Sequence, residues 1–208
     1  MARLRIVATV LVLVGYALLS HLLMARWPDR PWTVALLFGP LLAGLALAGL
    51  ARRHLPSLAG CVLLAALLAC VVHLGGVGVN LLYVLQHAAI HGLLALTFGL
   101  TLRAGAQPLI TQVAERVHDV FPPVQRAYTR WLTAVWTVYF AGMIALSLLI
   151  YLLAPWPVWS LFCNVITPAA AVALFVGEHV LRYWRHPEFE RVTMQRVVRA
   201  YQSYSASR

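Results

Sequence analysis

The sequence has no lysine, and its sixteen basic residues are all arginine. Only six residues are acidic, and the charged fraction is 11%. A soluble domain has roughly a quarter of its residues charged, so this chain is poorly supplied for solvating a water-facing surface. Cysteine is scarce too: Cys61, Cys70 and Cys163 all fall in apolar stretches. The first two lie too far apart along one predicted helix for a disulfide, so the cysteines read as small packing residues. There is no G-x-S-x-G, no Walker loop, no C-x-x-C and no H-E-x-x-H. The local signatures of serine hydrolases, P-loop NTPases, dithiol oxidoreductases and zincins are therefore missing. Asp29, Glu115 and Asp119 show no pairing suited to acid–base work.

Apolar residues are plentiful, at 62% of the chain. They gather into six long runs, at 6–24, 33–51, 55–74, 81–102, 131–153 and 158–181. Each is long enough, at 1.5 Å per residue, to cross a hydrocarbon core of roughly 30 Å. In lipid every backbone amide must find its partner inside the segment, which makes the runs helices. The turns "RWPDRPW", "GGVGVN" and "PWP" are short and force antiparallel neighbours. The expected fold is all-α: a polytopic membrane bundle of six transmembrane helices in three hairpins. Residues 1–102 hold helices one to four, 103–130 a cytoplasmic connection, 131–183 helices five and six, and 184–208 a basic cytoplasmic tail. The first run has a basic start but no A-x-A site after it, so it reads as a retained helix.

The formal net charge of +10 is topological rather than nucleic-acid-binding. On the six-span reading fourteen arginines share one side, and only Arg26 and Arg30 lie opposite. This bias places both termini in the cytoplasm. Trp27, Trp32, Trp156 and Trp159 flank the outer turns, as an interfacial aromatic belt does. Small residues let helix backbones approach closely and so predict packing faces. They are Ala35, Gly39 and Ala43 on the second run, and Ser57, Cys61, Ala65 and Ala69 on the third. On the last run they are Ala169, Ala173 and Gly177, with Pro168 bending it after Asn164.

Two cytoplasmic segments are amphipathic. "PLITQVAERVHDVF" starts with Pro108 at a helical first position and sets Leu109, Ile110, Val113, Ala114 and Val117 against Gln112, Glu115 and Arg116. The tail "VTMQRVVRAYQSY" sets Met194, Val197, Val198 and Tyr201 against Arg196 and Arg199. Both suit membrane lipid at the interface, or a docked soluble partner.

Polar groups at membrane depth are expensive and mark functional positions. Here they are Tyr83, Gln86, His87, His91, Tyr139, Asn164, Glu178 and His179. Tyr83, His87, His91, Ala95 and Gly99 recur every four residues, so the two imidazoles share a face with small residues and point into the bundle. Three readings follow. The histidines form interhelical hydrogen bonds to Asn164 or Tyr139, they line a polar pocket or proton path, or they hold a metal or haem. Glu178 stands four residues before Arg182, the favourable order for an ion pair. No metal site, cofactor or catalytic residue is assigned.

The stretches "QHAAIHGLLALTFGLTLRAGAQPLITQVAERVHD", "AYTRWLTAVWTVYFAGMIALSLL" and "VWSLFCNVITPAAAVALFVGEHVLR" resemble an uncharacterised bacterial inner-membrane family. Its members are often encoded beside acyl-carrier, ketosynthase and acyltransferase genes of aryl-polyene or fatty-acid-like pathways. The resemblance covers roughly residues 80–185. It implies His87, His91, Pro108, Arg116, His118, Tyr128, Arg130 and Trp136 as motif positions; Gln107 departs from an acidic residue expected before "PLI". It further implies a bacterial inner-membrane setting and, as partners, acyl-carrier or other biosynthetic proteins. The resulting expectation is a non-enzymatic accessory protein that helps export, hold or present a hydrophobic acyl or polyene product. Its rivals are a membrane enzyme using buried His or Glu in acyl or proton transfer, and a haem- or metal-binding redox protein.

Overall fold

The computed structural model describes residues 2–74, 78–116 and 121–187. His118 and the amphipathic tail lie outside these residues. Every described element is helical: α1 (Ala2–Arg26), α2 (Pro31–Ala51), α3 (Leu55–Leu74), α4 (Val79–Leu100), α5 (Leu109–Glu115), α6 (Pro123–Leu153), α7 (Trp156–Leu161) and α8 (Thr167–Arg185), with a π-helical turn at Phe162–Ile166. Five stretches are long and apolar enough to cross a membrane: Val7–Arg26, Pro31–Ala51, Val79–Leu100, Pro123–Leu153 and Trp156–Arg185. Leu55–Val71 is a shorter apolar helix. The all-helical, membrane-type architecture is therefore present.

Local chemistry sets the helix ends. α2 opens with Pro31, whose missing N–H costs nothing in a first turn. It closes with Arg53 in the left-handed region at φ 49° and the His54 amide donating to the Gly49 carbonyl at 2.9 Å, a helix-ending pattern usually built on glycine. Pro168 has no amide to offer the Asn164 carbonyl one turn back. The chain widens there into the π turn, with the Thr167 amide reaching the Phe162 carbonyl. This π turn spans the position after Asn164 at which a bend is expected. α6 differs from the expected start at residue 131: it begins at Pro123 and runs 31 residues, about 46 Å. The end of the expected 103–130 connection and the apolar run that follows it are thus one continuous helix, because nothing from Val124 to Arg130 breaks it.

The described chain divides into two compact units. The first comprises Met1–His87 and Ser147–Ala169. Its core is Met24, Val34, Leu37, Phe38, Leu68, Val79, Tyr83, Val84 and Trp159. Rings stack through it: Phe38 on Tyr83 with centroids at 5.7 Å, and Trp156 on Trp159 at 4.8 Å. Each polar ring atom finds a partner, as burial without water requires. Tyr83 Oη donates to the Pro28 carbonyl at 3.1 Å, Trp156 Nε1 to the Met24 carbonyl at 2.7 Å and Trp159 Nε1 to Ser147 Oγ at 3.0 Å. Trp159 is fully buried, so it belongs to the core rather than to an interfacial belt; Trp27 and Trp32 are about half exposed, with centroids 6.0 Å apart.

The second unit comprises Ala88–Leu146 and Ala170–Arg208, described here to residue 187. Phe98, Trp136 and Tyr139 gather around Phe140 at centroid distances of 5.4–5.5 Å. α4 and α6 approach closely at Gly99, where a Cβ would stand 3.2 Å from Thr137 Cγ2.

The small-residue faces are corrected on two helices. α2 buries Thr33, Val34, Leu37 and Phe38, while Ala35 and Ala43 are exposed. α8 turns Thr167 and Glu178 inward and leaves Ala169, Ala173 and Gly177 exposed. The close approach of α2 lies instead at Gly49, where a Cβ would stand 2.9 Å from Leu58 Cδ2 on α3. On α3, Ser57 and Cys61 are half-buried, but the buried face then passes to Leu64 and Leu68 rather than to Ala65 and Ala69.

Candidate functional site

The richest polar assembly lies in the second unit, where α4 ends and α6 begins. Gly105 takes φ +81°, a conformation strained for any side chain, and turns the chain back towards Pro108. Pro108 is buried and stands as the residue before α5, which starts one position later than the sequence suggests. α5 is held by hydroxyls. The Leu109 amide donates to Thr101 Oγ1 at 3.0 Å, and the Ile110 amide to Thr133 Oγ1 at 3.3 Å. Thr111 and Thr129 share a buried hydroxyl–hydroxyl bond of 2.7 Å. Thr129, Thr133 and Thr137 also donate to carbonyls on their own helix, at Gln125, Thr129 and Thr133. This hydroxyl stripe on α6 supplies the donors and acceptors that a short helix needs when seated on a long one. The expected arc of α5 is only partly inward, since Val113 is 51% exposed.

Around this seat lies a concavity of about 380 Å³ lined by Gly105, Ala106, Gln107, Pro108, Thr111, Arg126, Ala127 and Arg130. Charge enters from two directions. Glu115 Oε1 pairs with Arg126 Nη1 at 2.6 Å. Gln107 Nε2 donates to the other oxygen of the same carboxylate. Arg130 Nη2 donates to the Leu102 carbonyl at 2.9 Å, closing the turn beyond α4. The amide at Gln107 suits this place, since a carboxylate there would repel Glu115.

Two further groups hold the other sequence-selected residues. In the second unit, Tyr128 Oη donates to Glu178 Oε1 at 2.9 Å, and Arg182 Nη2 donates to Glu178 Oε2 at 3.2 Å. Glu178 is 8% exposed, so its charge is compensated at close range. Its ion pair with Arg182 is the one expected from the spacing. Tyr128 also meets Trp131 and His186. His179 is exposed, with its ring edge-on to Tyr183 at 4.9 Å. His91 is half-buried and edge-on to Phe140 at 6.1 Å; Phe140 in turn meets Trp136 and Tyr139. In the first unit, His87 is buried between Trp159 and Phe162, with Nε2 3.4 Å from Thr167 Oγ1. Asn164 Nδ2 donates to the Ser160 carbonyl at 2.9 Å, and His21 Nδ1 lies 3.0 Å from Ser160 Oγ. Gln86 is half-buried.

The structure thus gathers Pro108 and Arg130 at the concavity, Tyr128 and Glu178 in an ion-pair group, and His91, Tyr139 and Trp136 around Phe140. His87 sits with aromatic rings and a threonine. Arg116 follows α5 as its exposed closing residue. Among the described residues no three His, Cys, Asp or Glu side chains cluster as metal ligands. Thr101, Thr111, Thr129 and Thr133 escaped the sequence reading; the four-residue spacing of Thr129, Thr133 and Thr137 on one helix was the available signal. The chain matches no protein-family model, no curated protein and no solved structure.

Proposed function

We propose that the protein is a multi-pass inner-membrane accessory protein, with both termini cytoplasmic, that holds or presents an amphipathic acyl or polyene-type molecule. The observation that carries this reading is the concavity of about 380 Å³ at the head of α6. It combines two guanidinium groups from α6, the buried Thr111 of α5 and the Gly105 turn, and α6 itself is longer than a bilayer core is thick. Farther along α6 the surface is apolar and open, with Trp131 at 51% and Val138 at 70% exposed. A polar head beside an apolar surface is what an amphipathic ligand requires. The arginine distribution supports the orientation, and the resemblance of residues 80–185 supports acyl-carrier or related biosynthetic proteins as partners.

The test is complementation of a gene deletion. Arg130→Gln and Ala127→Leu, each expressed at wild-type level in the membrane, should reduce the extractable lipid or pigment that the wild type restores. Full restoration by both variants would remove the reading. A second reading, a membrane enzyme, draws on the Tyr128–Glu178–Arg182 chain, which joins a phenol to a buried carboxylate. Purified protein that consumes acyl-carrier thioesters, and loses this on Glu178→Gln, would favour it.

A further inference from the structure

We infer that the concavity at the head of α6 recognises a phosphate group, so that the amphipathic ligand is a phosphorylated one; this deepens the proposed function and rests on it. The argument is one of charge and geometry. Arg126 and Arg130 are four residues apart on α6 and line the same concavity. Like charges at that spacing repel. Glu115 compensates Arg126 at 2.6 Å. Arg130 bonds to a neutral carbonyl, that of Leu102, and among the described residues no carboxylate pairs with it. Among the described residues, the two guanidinium groups and one carboxylate leave an excess of one positive charge at the wall.

That excess selects an anion, and the donors select its shape. Arg130 is tethered through Nη2, which orders the fork while leaving further N–H groups for a ligand. A planar carboxylate fills one such fork. A phosphate presents three oxygens and can take Arg130 and Arg126 together, Arg126 then being shared with Glu115. The first amides of α5 already bond to Thr101 and Thr133, so the guanidinium groups are the donors that matter. The concavity is larger than a bare ion needs, and it leaves room for the group that carries the phosphate. The phosphate can come from a lipid headgroup or from a soluble phosphate monoester.

The experiment uses the full chain in dodecyl maltoside and isothermal titration with dioctanoyl phosphatidic acid, glycerol 3-phosphate, dioctanoylglycerol and octanoate. Dioctanoyl phosphatidic acid should bind saturably. Arg130→Gln should weaken it tenfold or more. So should Ala127→Leu, which fills the concavity with both charges kept and decides the matter if Arg130→Gln fails to fold. Arg52→Gln, an equal loss of charge elsewhere, should leave affinity within twofold. Competition by glycerol 3-phosphate means that the phosphate suffices, and its failure to compete means that the acyl chains contribute; both fit the inference. Equal binding of octanoate or dioctanoylglycerol, or wild-type affinity in Arg130→Gln and Ala127→Leu, overturns it. Loss of product handling in these variants without any phosphate binding would sink phosphate recognition alone. Phosphate binding abolished by variants that still restore product would sink the proposed function alone.

Discussion

Tyr128 shows how a side chain at the head of a long helix is held. Its hydroxyl donates to Glu178 at 2.9 Å, and Glu178 keeps Arg182 as an ion-pair partner. Removing the hydroxyl therefore leaves no orphaned charge. Tyr128→Phe should lower stability by about 0.6 kcal/mol and no more than about 1.7, the range for hydrogen bonds between membrane helices. Thermal unfolding in detergent measures this; a much larger loss would mean that the phenol supports more than one bond. His87 makes the complementary point. The four-residue ridge correctly turned it inward, yet its surroundings of Trp159, Phe162 and Thr167 follow from a π turn that the ridge alone does not reveal.

At the scale of elements, close approach is confined to a few positions. A Cβ at Gly99 would meet Thr137 Cγ2 at 3.2 Å, whereas one at Gly92 would lie an ordinary 3.8 Å from Ile144 Cδ1. Gly99→Leu should therefore cost about 1–3 kcal/mol through overpacking, while Gly92→Ala should fold as well as the wild type. Melting temperature and monodispersity of the purified variants check both, and equal behaviour of the two would show that α4 and α6 do not meet as described. The apolar runs reported where helices exist, because length and hydropathy are local properties. They did not report which side of α2 or α8 is covered. In a membrane helix apolar residues surround the axis, so periodicity carries little information about the buried face. The threonine stripe of α6 was legible as a four-residue spacing, but its partners on α5 come from a separate segment that the spacing does not reveal.

For the molecule as a whole, orientation rests on charge. Fourteen of the sixteen arginines fall on one side of the six-run reading, and that bias predicts cytoplasmic termini. Fluorescent-protein fusions at either end should be bright, and alkaline phosphatase fusions at the same ends inactive. The opposite pattern would invert the topology and place the α5–α6 concavity outside the cell. By itself, the sequence determined the all-helical membrane-type class, the inward position of His87 and the Glu178–Arg182 pair. Each depends on composition or on spacing within one helix. Only the tertiary structure decided that Trp159 is core and that Arg126, Arg130, Gln107 and Thr111 line one concavity. Those facts depend on contacts between segments distant in the chain, and no local pattern encodes them.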